Sequence, residues 1–515
     1  MPLDGRWKAK LSISINITAA VIARFWMAGL QFVLTPILLA LLGPDSYGLI
    51  GFGIAVSVFL MFLDQGMSPV FTREMAPRTQ VGDREYIRNL LRSFEVSCAI
   101  VAISIGGAMF LGAQSIARFG VGASSSLTEA EIVSSIRMIG LWIAAQWPAQ
   151  LYGAGLIGLQ RQDLLMAIKV VGSSSGAIGG ILIVWLVSPL PSVFLAWQVI
   201  VSICMSLALG AALWRMLPGL GHNPRIDLVA LRSVWRFATG SLLIGLSAVL
   251  LTQLPTLVVA KYTSLADLAA YTLALTLGLN LATILTQPIA GTLMPRFVVS
   301  LKADNEVELA REYHRWTEIL AALILPVVAT LVWFPRPLLN LWLGACSPLV
   351  EPIAALLPWV AIGTMLNTFA TMPYVLQIAS GWTRLSVTKN YVAVIVLAPL
   401  LLFLVQRYGA LGAAICWVML NLGYYLIEVP LTHRRLLKGE LTRWWWRGTL
   451  APTVVVSGIY CVVTSMFIPT AAPLWLEVVI AGVTAGAAIG SLLCVLPLFR
   501  KDAFVMLRKL RLLRN

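Results

Sequence analysis

Between residues 15 and 498 the chain is a succession of apolar runs of about 20 residues, each closed by a turn signal or a cluster of charge. A run of that length matches the hydrocarbon thickness of a bilayer. A segment crossing it must satisfy its own backbone polar groups, so the runs read as membrane-spanning α-helices. They fall at about 15–42, 48–71, 93–115, 135–158, 165–187, 192–214, 238–260, 268–295, 317–338, 353–377, 390–406, 410–431, 448–468 and 474–498, which makes fourteen. Composition agrees: 11% of the 515 residues are charged, against about 25% in soluble domains. The expected fold class is an all-α integral membrane protein. Met1 to Lys10 carries three cations and is followed by a long apolar run without an A-x-A-like site, so the first span reads as retained rather than cleaved.

The cations give an independent check. Of the 37 Lys and Arg, 31 fall in segments that a model with a cytoplasmic N-terminus places inside, 5 fall outside, and Arg24 lies within the first span. Such a bias is the positive-inside rule, and a wrong helix count would blur it. Both termini are expected in the cytoplasm, in a bacterial inner membrane.

The net charge of +15 does not point to nucleic acid, because the cations sit in short loops and not in a basic domain with interleaved aromatics. Six scattered cysteines and three histidines form no C-x-x-C or His/Cys cluster, so neither a disulfide framework nor a metal site is expected. No P-loop motif is present. No cofactor is expected; coupling to H+, to Na+ or to the membrane potential stays open.

Transporters are often built from internal repeats. A shift of about 220 residues brings Tyr47 near Tyr271, Arg73 near Arg296, Pro36 near Pro255 and Lys169 onto Lys389. These matches suggest two pseudo-symmetric six-helix lobes, at residues 1–216 and 217–437, with two further helices and a basic tail at 438–515. The strings "LLGPDSYGLIGF" (41–52), "FLDQGMSPVFTREMA" (62–76), "LLNLWLG" (338–344) and "RYGALGAA" (407–414) resemble the polysaccharide transporter, or Wzx-type O-antigen flippase, branch of the multidrug/oligosaccharidyl-lipid/polysaccharide flippase superfamily. The resemblance runs over about residues 12–437. It implies a MATE-like, V-shaped pair of lobes that rock between inward and outward openings. The implied cargo is an oligosaccharide, an O-antigen or exopolysaccharide unit, on undecaprenyl pyrophosphate; a polymerase and a chain-length regulator are implied partners beside membrane lipids. In fourteen-helix relatives the last helix pair borders a groove for the lipid tail.

Candidate site residues follow from polarity inside the spans. Arg24 lies roughly 13 Å along the first helix, and Asp64 about 10 Å from the same end of the second. Their depths permit a pair or a shared polar cavity. Arg24 has two readings: its planar fork suits pyrophosphate oxygens, or it snorkels to inner headgroups. Asp64 reads as a carrier of a coupling proton or as a structural tie, and Arg73 and Arg296 as receivers of the headgroup at the inner mouth. Gln146, Trp147, Gln150, Tyr152, Gln253, Asn280, Gln287, Asn367, Tyr374 and Gln377 offer amides and aromatic faces for sugars, although intramembrane amides also tie helices together. Gly172, Gly176 and Gly180 predict a close helix crossing, "RWWWRG" (443–448) an interfacial aromatic belt, and residues 499–515 a basic amphipathic helix on the inner leaflet.

Three rival functions remain. A membrane O-antigen polymerase or ligase is disfavoured because the segments expected outside are short. A cation-coupled multidrug exporter would want carboxylates in the membrane, where Asp64 reads as the only clear acid. A lipid II-type peptidoglycan flippase would share the charge polarity of the cavity.

Overall fold

The computed structural model describes residues 5–502 apart from 82–83, 122–124, 218–224, 226–227 and 468–471. Residues 503–515 of the expected amphipathic tail therefore lie outside the described residues. The described residues form helices and turns, in two compact units, 1–269 and 270–515.

The first unit holds α1 (Gly5–Leu42), α2 (Pro44–Met61), a 3-10 turn (Phe62–Gly66), α3 (Ser68–Val81), α4 (Arg84–Gly120), α5 (Glu129–Gly158), α6 (Gln162–Leu186), α7 (Pro191–Met216) and α8 (Leu228–Tyr262). Helix α9 (Leu265–Lys302) carries the chain into the second unit. There follow α10 (Glu306–Trp333), α11 (Pro335–Leu343), α12 (Val350–Ala379), α13 (Thr383–Tyr408), α14 (Ala410–Gly423), α15 (Val429–Leu436), α16 (Leu441–Arg443), α17 (Ala451–Phe467) and α18 (Leu474–Val495). Single-turn π segments, Tyr424–Glu428 and Trp444–Leu450, join α14 to α15 and α16 to α17.

Local chemistry explains the boundaries. Gly43, at φ +80°, lets the chain reverse between α1 and α2, a conformation that costs a residue with a Cβ. Pro44, Pro191 and Pro335 sit at helix starts, where a missing N–H loses nothing. Helix α5 opens on a reciprocal capping box: the Glu131 amide donates to Thr128 Oγ1, and the Thr128 amide donates to Glu131 Oε2.

Among the described residues, thirteen helices are long and apolar enough to cross a membrane. The fourteenth expected span is α5, a 30-residue helix that carries Gln146, Pro148, Gln150 and Tyr152 and packs between α4 and α7. Two details differ from expectation. The second span breaks at Met61 into the 3-10 turn before continuing as α3. The "RWWWRG" run is not a uniform belt. Trp444 is fully buried, with its ring centroid 5.3 Å from that of Tyr425, and Trp445 stacks on Tyr425, while Trp446 is 64% exposed. The π turn there rotates two of the three indoles inward.

The glycine face of α6 closes on α7 as its spacing predicts. A Cβ at Gly172 would meet Met205, at Gly176 Gln198, and at Gly180 Phe194.

Candidate functional site

Helices α1 and α6 pack along one another, tied by the Trp26 indole N–H donating to Ser174 Oγ at 3.0 Å. Beside this contact lies a cavity of about 390 Å³ formed by α1, α2, α5, α6 and α7. Its polar wall comprises Gln31, Thr35, Tyr47, Ser173 and Gln198, among leucines, isoleucines and Trp142.

Residues of α1 and α6 line it at helical spacing: Met27, Gln31, Leu34 and Leu38 on one side, Ser173, Ala177 and Ile181 on the other. Extending each face by one turn toward the helix N-terminus reaches Arg24, three residues before Met27, and Lys169, four before Ser173. Arg24 and Lys169 are close enough for their positive charges to repel one another. Among the described residues neither cation forms an ion pair with a carboxylate. Two like charges without an ion-pair partner among the described residues, one helical turn before the lining of a largely apolar cavity in a bundle of bilayer-length helices, are costly to keep and suited to a multiply charged anion.

The pairing of Arg24 with Asp64 does not form. Asp64 sits in the 3-10 turn and accepts a hydrogen bond from the Ser68 hydroxyl at 2.8 Å, while the charged neighbour of Arg24 is Lys169. Lys169 was invisible as a site residue because its proximity to Arg24 depends on helices 145 positions apart in the chain. Its one sequence signal was its register with Lys389.

The remaining candidates disperse. Arg73 is exposed on α3, and Arg296, on α9, lies 3.6 Å from Glu312. In α5, Gln150 Nε2 donates to Met61 Sδ at 3.5 Å, Tyr152 donates to Glu95, and the Gln146 and Trp147 side-chain N–H groups are buried without a partner. Gln253 donates to the adjacent Thr252, and Asn280 and Gln287 are exposed on α9. In the second unit Asn367 donates to Asn421 at 2.8 Å, Tyr374 is 46% exposed, and Gln377 is fully buried. The Gln377 amide donates to Glu428 and Thr432 and accepts from Ser386, so its hydrogen-bonding capacity is spent inside the protein.

The expectation that Asp64 is the only intramembrane acid is corrected. Glu95 on α4, Glu318 on α10 and Glu428 are all largely buried. Each was present in an apolar run, and each has partners. Glu95 accepts from Tyr152 and Trp214 and pairs with Arg92; Glu318 accepts from the amides of Leu498 and Phe499; Glu428 pairs with Lys389. These carboxylates all have partners, whereas the exposed Arg24 and the half-buried Lys169 form no ion pair among the described residues.

The family model described as polysaccharide biosynthesis protein matches residues 37–346. No curated protein matches the chain. Among solved structures, the chain is similar to an inward-facing multidrug resistance MATE family transporter of the MOP superfamily (16% identity, TM-score 0.67, 82% of this chain and 99% of that one). It is also similar to the lipid II flippase MurJ in an inward closed conformation (12% identity, TM-score 0.70, 92% and 97%). A third similar structure is a MOP superfamily transporter from Pyrococcus furiosus, described as having a binding pocket of reverse polarity that suggests a different function (16% identity, TM-score 0.56, 83% and 96%). At these identities the likeness is one of fold.

Proposed function

Because the chain belongs to the polysaccharide biosynthesis protein family and is a multi-pass membrane protein with the fold of MOP superfamily transporters, we propose that it is a flippase. Its cargo is an oligosaccharide on undecaprenyl pyrophosphate, moved from the cytoplasmic to the outer leaflet of a bacterial inner membrane by alternating access. The observation that carries this reading is the neighbouring pair of cations, Arg24 and Lys169, which form no ion pair among the described residues and lie one helical turn before the cavity-lining residues Met27 and Ser173.

The chemistry follows from the two side chains. The guanidinium of Arg24 presents a planar fork that meets two phosphate oxygens at once, and the ammonium of Lys169 adds a compact charge for the second phosphoryl group. The Gln31 amide supplies donors and an acceptor to sugar hydroxyls beyond it, while Thr35, Ser173 and Gln198, which donate to the carbonyls of Gln31, Val170 and Gly176, offer acceptor oxygens. The isoprenoid tail stays in lipid. Mutual repulsion of the two cations falls when the anion enters, so the headgroup is what makes the site electrostatically stable.

A lipid II-type cargo is the second reading. The likeness to the lipid II flippase extends over 92% of this chain, against 82–83% for the transporters described as MATE. A cationic drug is disfavoured because the buried acids are paired.

The test is flipping of an undecaprenyl-pyrophosphate oligosaccharide in proteoliposomes, scored by accessibility to an outside enzyme. Arg24→Ala and Lys169→Met are each expected to lower the rate about tenfold or more, the worth of one charge-assisted contact. Arg24→Lys should recover part of the loss, by restoring charge without the fork. Normal flipping by folded Arg24→Ala would remove the anion site. Preference for lipid II in direct competition would select the second reading.

A further inference from the structure

One stretch of α10, from Glu312 to Glu318, holds two other parts of the second unit. His314 donates from Nε2 to Glu440 at 2.8 Å, and Thr317 packs on Gly448, where an added Cβ would lie 3.0 Å from its methyl group. These contacts fix α16 and the π turn that follows it. The segment after α18 docks on the same side, one residue on. Glu318, 4% exposed, accepts from the amides of Leu498 and Phe499 at 2.8 and 3.1 Å, and Arg315 pairs with Asp502 through Nε and Nη2 at 2.7 and 2.8 Å. His314, Thr317 and Glu318 share a helix face by their i, i+3, i+4 spacing, and Arg443 and Arg447 come close enough to act on the Glu318 carboxylate.

The charges of these segments are sorted by sign. Each acid is turned to a protein partner: Glu318 to the two amides, Asp502 to Arg315, Glu312 to Arg315 and Trp316, and Glu440 to His314, with Arg443 3.6 Å away. The cations face outward. Arg447, Arg500 and Lys501 are exposed and form no ion pair among the described residues. Beside Arg447 stands Trp446, the indole of its run that the π turn leaves exposed. An ordinary solvated face intersperses both signs. Cations of one sign around an exposed indole, at the end of a bundle of bilayer-length helices, suit phosphate groups at headgroup depth.

We propose that this face binds the headgroups of anionic phospholipids, and that the bound lipid staples the π turn and the segment after α18 to α10. Arg447 comes from one segment, Arg500 and Lys501 from the other, so a phosphate between them answers both and removes their mutual repulsion. The sequence beyond Asp502 extends the same charge, with Arg508, Lys509, Arg511 and Arg514 and no acid through residue 515. The cargo-receiving cations Arg24 and Lys169 belong to the first unit, so the two assignments stand or fall separately.

The experiment uses the full-length protein in detergent, offered phosphatidylglycerol and phosphatidylcholine in equal amounts, with retained lipid counted by native mass spectrometry. Wild type is expected to retain phosphatidylglycerol at least tenfold over phosphatidylcholine. Each cation near an anionic headgroup contributes about fivefold, so Arg447→Gln/Arg500→Gln/Lys501→Gln, which changes only exposed side chains, should hold the two lipids alike. A second measurement reads the indole: in nanodiscs, phosphatidylglycerol with brominated chains should quench more tryptophan emission than the brominated choline lipid, and Trp446→Phe should abolish the difference. Equal retention of both lipids by wild type, an undiminished preference in the triple variant, or a quenching difference that survives in Trp446→Phe overturns the proposal. Displacement of phosphatidylglycerol by an equimolar amount of farnesyl pyrophosphate would make the face a receptor for cargo-like pyrophosphates and overturn the assignment to lipid.

Discussion

Charged side chains in the spanning helices divide into those that the fold has answered and those it has left open. Glu95 is the clearest of the first kind: it accepts from Tyr152 Oη at 3.0 Å and from Trp214 Nε1 at 2.7 Å, with Arg92 at 3.0 Å. Truncating it strands two donors between α4, α5 and α7, and a buried donor without a partner costs about 1–3 kcal/mol. Glu95→Ala should therefore destabilise by about 3 kcal/mol and lower the midpoint of thermal unfolding in detergent. Glu95→Gln, which keeps a carbonyl oxygen in place, should lose less. Flipping per folded molecule should be unchanged in both. An unaltered midpoint in Glu95→Ala would show that the carboxylate is not the tie the geometry makes it. Arg24 and Lys169 belong to the second kind, and their substitution should do the reverse, sparing stability and removing transport.

Helix contacts are set at the scale of elements by where side chains are missing. At Gly48, on α2, an added Cβ would lie 1.9 Å from the carbonyl oxygen of Leu265, at the turn between α8 and α9. Backbone cannot rotate away as a side chain can. Gly48→Ala is expected to cost about 3 kcal/mol, read as a loss of folded protein on size-exclusion chromatography. Gly172→Ala, which meets the flexible end of Met205 at 2.9 Å, should be tolerated, and equal behaviour of the two would contradict this ordering. The same distinction explains what was legible in the sequence. Apolar runs announce spanning helices because lipid leaves the backbone no alternative, and the Gly172, Gly176 and Gly180 face could be read from spacing alone. The 3-10 turn at Phe62–Gly66 and the π turns carry no such letter code, since the apolar residues on either side look continuous. Pairings such as Glu95 with Trp214, 119 positions apart, and the meeting of Arg24 with Lys169 come from packing between distant helices, which periodicity does not encode. Arg24 stood out as a guanidinium in an apolar run; what it faces did not.

For the whole molecule, the direction of transport in the proposed flipping of a pyrophosphate-linked cargo follows from the charge moved over a cycle. Whatever Arg24 and Lys169 do while cargo is bound, they return with the empty protein, so the net charge moved per turnover is that of the cargo and of any coupling ion. A pyrophosphate crossing outward from a negative interior gains about 2.3 kcal/mol per charge for each 100 mV, or about 4.6 kcal/mol for two charges. That bias is enough to make flipping effectively one-way without ATP. In proteoliposomes clamped with valinomycin and a potassium gradient, accumulation of flipped lipid-linked oligosaccharide should rise with a potential negative on the side of entry and fall when the gradient is reversed. Collapse of the potential should reduce accumulation to equilibration between the leaflets. Imposing H+ or Na+ gradients at zero potential separates the alternative: accumulation that follows one of them and ignores the potential would mean that a coupling ion compensates the cargo's charge, and that the anion's own electrical energy is not what drives the cycle.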